Sequence, residues 1–371
     1  MKKVLIIFGT RPEAIKLAPV IQELRSRPGE FNCLVCSSGQ HREMVAQALA
    51  AFGLKADIDL AAMTEGQTLG GLTARLFAAY DTLLQAEKPD WVIVQGDTTT
   101  AMVGAVSAFY GHIKVAHVEA GLRTGNRLSP FPEEINRTFI GHVSDLHFAP
   151  TARAVEQLRQ SGVPPQSIHL TGNTVVDALL WMTERSNGEP PASLDSLLPS
   201  LDGRRLVLVT SHRRESFGGG LKNICFALRE IVQRHTDVVV VYPVHPNPNV
   251  REAANRWLAS EERIRLVEPL SYQSVVYLLR RCYCVLTDSG GLQEEAPTFG
   301  KPLLILRDTT ERPEVIEAGC ARLVGTSVER LVNATNQLLE DPVTYQQMAR
   351  VENPFGDGKA AQRIAQILAN S

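Results

Sequence analysis

The sequence predicts an α/β protein built from two doubly wound parallel sheets, and three observations carry that expectation. Short apolar runs alternate with segments of helical period almost throughout. The alternation is interrupted near the middle, at residues 187–203, where Pro190, Pro191 and Pro199 lie among serines and aspartates. Most apolar runs end in a turn rich in glycine, threonine or charged side chains that leads straight into a helix, the junction at which such sheets bind ligands.

Residues 3–8, 31–36, 91–94, 114–118 and 145–148 read as strands of a first sheet, and 206–210, 238–242, 263–267, 283–286 and 303–306 as strands of a second. Residues 187–203 read as a linker or long surface loop. The division is 1–186, 204–359 and a terminal piece, 360–371, whose apolar residues at helical spacing need a surface to pack on. A chain of 371 residues can bury two sizeable cores.

Thirty-eight lysines and arginines against 40 aspartates and glutamates leave a net charge of −2, which argues against a nucleic-acid or membrane surface and for a small ligand. Val4 to Phe8 is too short to span a bilayer. The six cysteines fall mostly in strand-like runs, and Cys33 and Cys36, three apart, point to opposite faces of a strand. Buried reduced thiols in a cytoplasmic protein are therefore expected, with neither metal nor redox cofactor.

Five junctions carry chemistry. The first strand ends in Phe8-Gly9-Thr10-Arg11-Pro12-Glu13, where Gly9 permits a turn and Pro12 starts a helix, so Arg11 and Lys16 suit an anionic ligand; a surface Arg-Glu pair is the plainer reading. Asp97, after Val94-Gln95-Gly96, is a plausible helix N-cap. Glu119 stands at the next strand's mouth, and Glu133 in a helix's first turn, where a glutamate favours the dipole. Three carboxylates at one sheet edge suit proton transfer, since crowding raises proton affinity. In the second half His212-Arg213-Arg214-Glu215 leads through Gly218 to Gly220 into a helix and could hold a diphosphate, while His245 stands in a proline-rigid loop. Thr287-Asp288-Ser289-Gly290-Gly291 turns a strand into a helix, an arrangement that fits a phosphate at the helix start, with Glu295 about one turn on to accept bonds from sugar hydroxyls and Arg312 further along.

These motifs, with Q-H-R-E-M, G-N-T-V, Y-P-V-H and R-D-T-T-E-R-P-E, occur in an order that resembles the non-hydrolysing UDP-N-acetylglucosamine 2-epimerases over essentially the whole chain. The resemblance implies a GT-B architecture, two Rossmann-like domains facing a cleft with the C-terminal helix crossing back to the first. It implies that Arg11, Lys16, His212, Ser289, Gly290, Gly291, Glu295 and Arg312 bind the UDP portion, and that Asp97, Glu119 and Glu133 carry protons, with His212 counted among the catalytic groups. Gln40, His41, Arg75 and His245 match a second UDP-N-acetylglucosamine site that activates many bacterial members. Leu270 and Val275 stand where some members have Gln and Phe near the uracil. A cytoplasmic homodimer is implied, without cofactor or metal.

The activity implied is reversible epimerisation at carbon 2 of UDP-N-acetylglucosamine to UDP-N-acetylmannosamine, by elimination of UDP to a 2-acetamidoglycal and re-addition, feeding bacterial surface polysaccharide. A glycosyltransferase, a hydrolysing epimerase and a silent nucleotide-sugar sensor would use the same nucleotide site. The three carboxylates favour proton chemistry over acceptor activation.

Overall fold

All ten apolar runs are strands. The computed structural model describes every residue except His41, Glu65 and Asp202, and the chain divides into two units, Met1–Trp181 with Phe355–Ser371, and Met182–Pro354. In the first, β1 (Lys2–Phe8), β2 (Phe31–Ser37), β3 (Ile58–Asp59), β4 (Trp91–Gln95), β5 (Lys114–Val118), β6 (Leu146–Ala149) and β7 (Ile168–Leu170) form one sheet in the order β3-β2-β1-β4-β5-β6-β7. In the second, β8 (Arg205–Thr210), β9 (Val238–Pro243), β10 (Ile264–Val267), β11 (Cys284–Thr287), β12 (Leu303–Ile305) and β13 (Ala321–Leu323) follow the order β10-β9-β8-β11-β12-β13. Each ladder within the two sheets is parallel.

Helices between the strands cover the sheets, which explains why central strands are continuously apolar: every residue of β4 is buried. Burying each such Val, Ile or Leu stabilises by roughly 1.5–3 kcal/mol. The strand order reverses between β1 and β4 in one unit and between β8 and β11 in the other, so the carboxyl ends of those pairs are where a doubly wound sheet offers a crevice.

The structure adds β3, β7 and β13, two or three residues each, which hold no periodicity to read. Residues 187–203, expected as a linker or long surface loop, carry some order of their own. Ala192–Leu194 and Leu198–Ser200 are 3-10 turns, Leu194, Leu197 and Leu201 are buried, and Ser193 Oγ lies 2.9 Å from Ser274 Oγ. Leucines seven apart with one between pin a segment whose Pro and Ser content alone suggests exposure. All six cysteines are free and buried, and burial pushes the thiols of Cys33 and Cys36 up to about 11 and about 12.

The helix Ala360–Asn370 packs on the helix Arg11–Arg25, and Lys2 Nζ donates to the carbonyls of Leu368 and Ala369 at 2.7 and 2.9 Å. Asp177 caps its start, accepting from the amides of Ala360 (3.2 Å) and Ala361 (2.8 Å). Burial raises the Asp177 carboxyl from its ordinary 3.8 to about 6, and the two amides offset only part of that. Folding therefore favours the protonated form between those values, and the contribution of Asp177 to stability declines as pH rises from about 4 to about 6. Asp177→Asn cannot titrate. The melting temperature of the wild type should exceed that of Asp177→Asn by more at pH 4 than at pH 7, and an equal difference at both would refute the linkage.

Candidate active site

At the β1 and β4 ends of the first unit a buried carboxylate joins the two loops. Glu13 Oε2 accepts from the Gly9 amide (3.1 Å), the Thr10 amide (2.8 Å) and Thr10 Oγ1 (2.7 Å), while Oε1 accepts from Thr98 Oγ1 (2.7 Å). Burial raises its proton affinity against the pull of those donors. Thr98, not Asp97, is the N-cap of the helix Thr99–Tyr110, with its hydroxyl accepting from the Ala101 amide at 3.0 Å. Gly9 is required by close approach rather than by a turn: a Cβ there would meet Ser38 Oγ at 2.4 Å and Thr100 Oγ1 at 2.6 Å.

With the N-cap filled by its neighbour, the Asp97 side chain is available for another use. Its Oδ2 accepts from Arg137 Nε at 2.7 Å, and its carbonyl from Asn136 Nδ2 at 2.8 Å. Arg137, buried, reaches Glu134 Oε2 at 3.1 Å with its other arm. Glu134 also accepts from the amides of Thr124 and Gly125, and these donors together with Arg137 outweigh its burial and lower its pKa. Glu133 begins the helix Glu133–Val143, half-buried, and its side chain makes no hydrogen bond or ion pair among the described residues.

Glu119 follows β5 and is 7% exposed. Its φ of +62° lies in the left-handed region, a strain of about 1–3 kcal/mol for a side-chain-bearing residue. Gly121 completes the turn, and a Cβ there would strike the Ala154 carbonyl at 2.3 Å. Glu119 Oε1 accepts from Lys16 Nζ at 2.6 Å and from Asn173 Nδ2 at 3.3 Å, and Oε2 accepts from Gln95 Nε2. Lys16, expected to serve an anionic ligand, is thus ion-paired with Glu119. Arg11 opens the helix Arg11–Arg25, half-buried.

In the second unit Asp288, fully buried after β11, gathers the loop after β8. Its Oδ2 accepts from Ser211 Oγ (3.0 Å), the His212 amide (2.7 Å) and the Arg213 amide (2.9 Å). His212 Nδ1 lies 3.2 Å from Asp288 Oδ1, within ion-pair range but without hydrogen-bond geometry. Burial lowers the His212 pKa, with Asp288 opposing and Arg213, His245 and Arg307 adding to the fall. His245 stacks on His212 at 5.5 Å and 19°, and its Nδ1 accepts from the Asn247 amide at 3.1 Å.

Ser289 precedes the short helix Gly290–Glu295 without a side-chain cap bond. Neither glycine has a positive φ, and a Cβ would come no nearer than 4.0 Å to any neighbour at Gly290 and 3.8 Å at Gly291. The chain itself therefore gives no reason for two glycines there. Gln293 Oε1 accepts from Thr310 Oγ1 at 2.5 Å, and Arg312 Nε donates to the buried Glu294, so the loop before Arg312 is tied to this helix. Arg312, expected among the ligand-binding cations, meets a carboxylate of its own unit. Glu295 is buried.

Of the residues matched to an activator site, His41 lies outside the described residues. Gln40 Oε1 accepts from Thr100 Oγ1 at 3.4 Å. Arg75 donates to the Ala62 carbonyl at 2.9 Å and to Gln67, and is not joined to Gln40 by any recorded bond among the described residues. Gln95, Asn136, Arg137, Asn173 and Asp288 were not singled out from the sequence. Each stands inside a motif that the sequence displays, V-Q-G-D, N-R, G-N-T-V and T-D-S-G-G, but amide and buried partners announce themselves only once their acceptor is located.

A family model described as UDP-N-acetylglucosamine 2-epimerase matches residues 22–369. The UDP-N-acetylglucosamine 2-epimerase of Escherichia coli is 48% identical over 372 residues, covering 100% of this chain and 99% of that protein. That of Bacillus subtilis is 47% identical, covering 99% and 94%. Among solved structures, UDP-GlcNAc 2-epimerase from Neisseria meningitidis bound to UDP-GlcNAc superposes with a TM-score of 0.90 at 42% identity and full coverage of both chains. The Methanocaldococcus jannaschii enzyme in complex with UDP-GlcNAc and UDP gives 0.82 at 34%, again with full coverage of both. With a family model over nearly its whole length and relatives at almost half identity, this chain belongs to the UDP-N-acetylglucosamine 2-epimerase family.

Proposed function

We propose that the protein is an isomerase that interconverts UDP-N-acetylglucosamine and UDP-N-acetylmannosamine through a 2-acetamidoglycal. Family membership supports the epimerase activity. The observation that carries the mechanism is the placing of Asp97 and Glu119 at the ends of adjacent strands β4 and β5, each with a fixed cationic partner, and of Glu133 at the start of the next helix.

The hydrogen on carbon 2 of the sugar has no adjacent carbonyl to acidify it. In the proposed step the bond from carbon 1 to the diphosphate oxygen breaks with its electron pair leaving on UDP, a carboxylate takes the carbon 2 proton, and a double bond forms between carbons 1 and 2. In the return step the diphosphate oxygen adds to carbon 1, and a second group delivers a proton to the opposite face of carbon 2. Asp97, Glu119 and Glu133 supply those groups in this proposal.

In this proposal Arg11, His212, Ser289, Gly290, Gly291, Glu295 and Arg312 meet the departing UDP, and Lys16 steadies Glu119. The uncrowded Gly290 and Gly291 suit that reading, because room that the chain does not need is room a phosphate can approach. Glu295 would meet the ribose. Supply of N-acetylmannosamine units for surface polysaccharide from the cytoplasm belongs to the same proposal and rests on the sequence resemblance. A homodimer is included, with the aromatic patch of Phe77, Phe109 and Tyr110 as its face: Phe109 and Tyr110 are 53% and 71% exposed, and the Tyr110 ring lies 6.4 Å from that of Phe77 and 6.3 Å from that of Phe109.

Asp97→Asn, Glu119→Gln and Glu133→Gln should each lower turnover by about two to four decades. In deuterium oxide the wild type should place deuterium at carbon 2 and, on prolonged incubation, leak UDP with the glycal, both followed by NMR. Product that retains protium with no glycal detected would overturn the elimination route.

If Gln40, His41, Arg75 and His245 bind an activating nucleotide sugar, UDP-N-acetylmannosamine alone should turn over slowly until a trace of UDP-N-acetylglucosamine is added. Equal initial rates with and without the trace would leave these residues a structural role only.

Sedimentation should find a dimer that Tyr110→Glu converts to monomer. A variant that still sediments as a dimer would move the interface elsewhere.

A further inference from the structure

We infer that Asn173, together with Gln95, is a positioning residue for the reaction: the two amides fix Glu119 as an oriented, deprotonated carboxylate, so that proton traffic at Glu119 begins with uptake and not with donation. The inference rests on the proposed function and says which way one of its three carboxylates works.

The argument is one of donors and acceptors. Glu119 Oε1 faces Lys16 Nζ and Asn173 Nδ2, and Oε2 faces Gln95 Nε2. An ammonium and a primary-amide nitrogen donate and cannot accept. A hydrogen placed on a lone pair that one of these donors occupies would displace that donor, and hydrogen bonds and a cation directed at a carboxylate favour its ionised form. The orientation of the Asn173 amide is settled from its other end, because Oδ1 accepts from the Val175 amide at 3.1 Å and so turns Nδ2 toward Glu119. Asn173 and Gln95 are 2% and 4% exposed, and water does not substitute readily for either. The left-handed backbone of Glu119 persists because these contacts, the Lys16 ion pair and the Gly121 turn hold the carboxylate in one place.

Of the titrating groups described near Glu119, two are held neutral and two are ion-paired. His117, two residues earlier, bonds the Gly96 carbonyl through Nε2 at 2.7 Å and burial lowers it to about 3; His147 on β6 is lowered to about 4. Both stay neutral between pH 5 and pH 9, about the interval over which turnover would be read. Lys16 from the helix Arg11–Arg25 is the cation of the pair itself, and Asp97 after β4 is engaged by Arg137.

The test uses Asn173→Asp, which keeps an oxygen for the Val175 amide and so preserves the helix start, while replacing the donor beside Glu119 with a second carboxylate. Two carboxyl groups so close share a proton. The acid limb of the kcat–pH profile should move up by about one pH unit with little change in KM, so that the ratio of wild-type to variant turnover is about tenfold larger at the acid end than on the plateau. Asn173→Ser, which keeps a capping hydroxyl and loses the donor without adding charge, should shift the limb the same way by less, and Gln95→Leu likewise. A purely structural role would lower turnover by one factor at every pH, so profiles that superimpose after scaling overturn the proposal. The Glu119 side-chain carboxyl should be followed in parallel by carbon-13 NMR, its signal assigned by its loss in Glu119→Gln. A titration midpoint in Asn173→Asp no higher than in the wild type overturns the proposal whatever the turnover. Wild-type protein without epimerase activity would instead overturn the functional reading, and the NMR titration would still decide this one.

Discussion

Both sheets depend on the same device at the place where strand order reverses: a carboxylate removed from water that takes hydrogen bonds from a neighbouring strand's loop. In the first unit it is Glu13, after β1, reaching Thr98 after β4. In the second it is Asp288, after β11, collecting the hydroxyl and two amides after β8. A buried polar group of this kind costs free energy unless its hydrogen-bond partners are in place, so the two loops are best satisfied when they close together. The crevice of a doubly wound sheet is thereby converted from a gap between loops into a surface of fixed shape. Asp97 and His212, each within a residue of those stitches, gain their position from it.

Much of this was legible in the amino-acid order. Central strands such as β4 and β8 announce themselves because helices cover both faces, and the side chains of residues 91–94 and 206–209 are apolar throughout. The edges did not, since Ile58–Asp59 is too short to show a period. Asp97 and Thr98 are adjacent, and either could cap the following helix; only the placement of Arg137, forty residues on, decides that Thr98 caps and Asp97 does not. Arg312 and Lys16 likewise read as cations awaiting an anion, and the structure supplies one to each from within its own unit. A sequence lists charges without their partners, and it is pairing that separates a ligand contact from a support for one.

The Glu119 cluster shows why such support is hard to read. Its donors come from residues 16, 95 and 173, on a helix, a strand end and a helix start that span most of the unit. No local pattern joins them. The carboxylate is consequently assembled only when the whole sheet is, and the strain at its backbone is held by long-range contacts instead of by the turn alone. The second unit behaves differently: His212 is positioned by Asp288 and stacked by His245, all on neighbouring strand ends, so its environment forms with three strands.

The brevity of β3, β7 and β13 has a consequence for the protein in a crowded solution. A parallel sheet that stopped at a long outer strand would present a row of unpaired amides and carbonyls to any other extended chain, the template from which aggregates grow. Here three of the four outer positions are taken by strands of two or three residues, and the fourth, β10, by four. A stranger could add no more than a bond or two before the ladder ran out. Two wide, apolar sheets can therefore coexist in one chain without offering a place to polymerise.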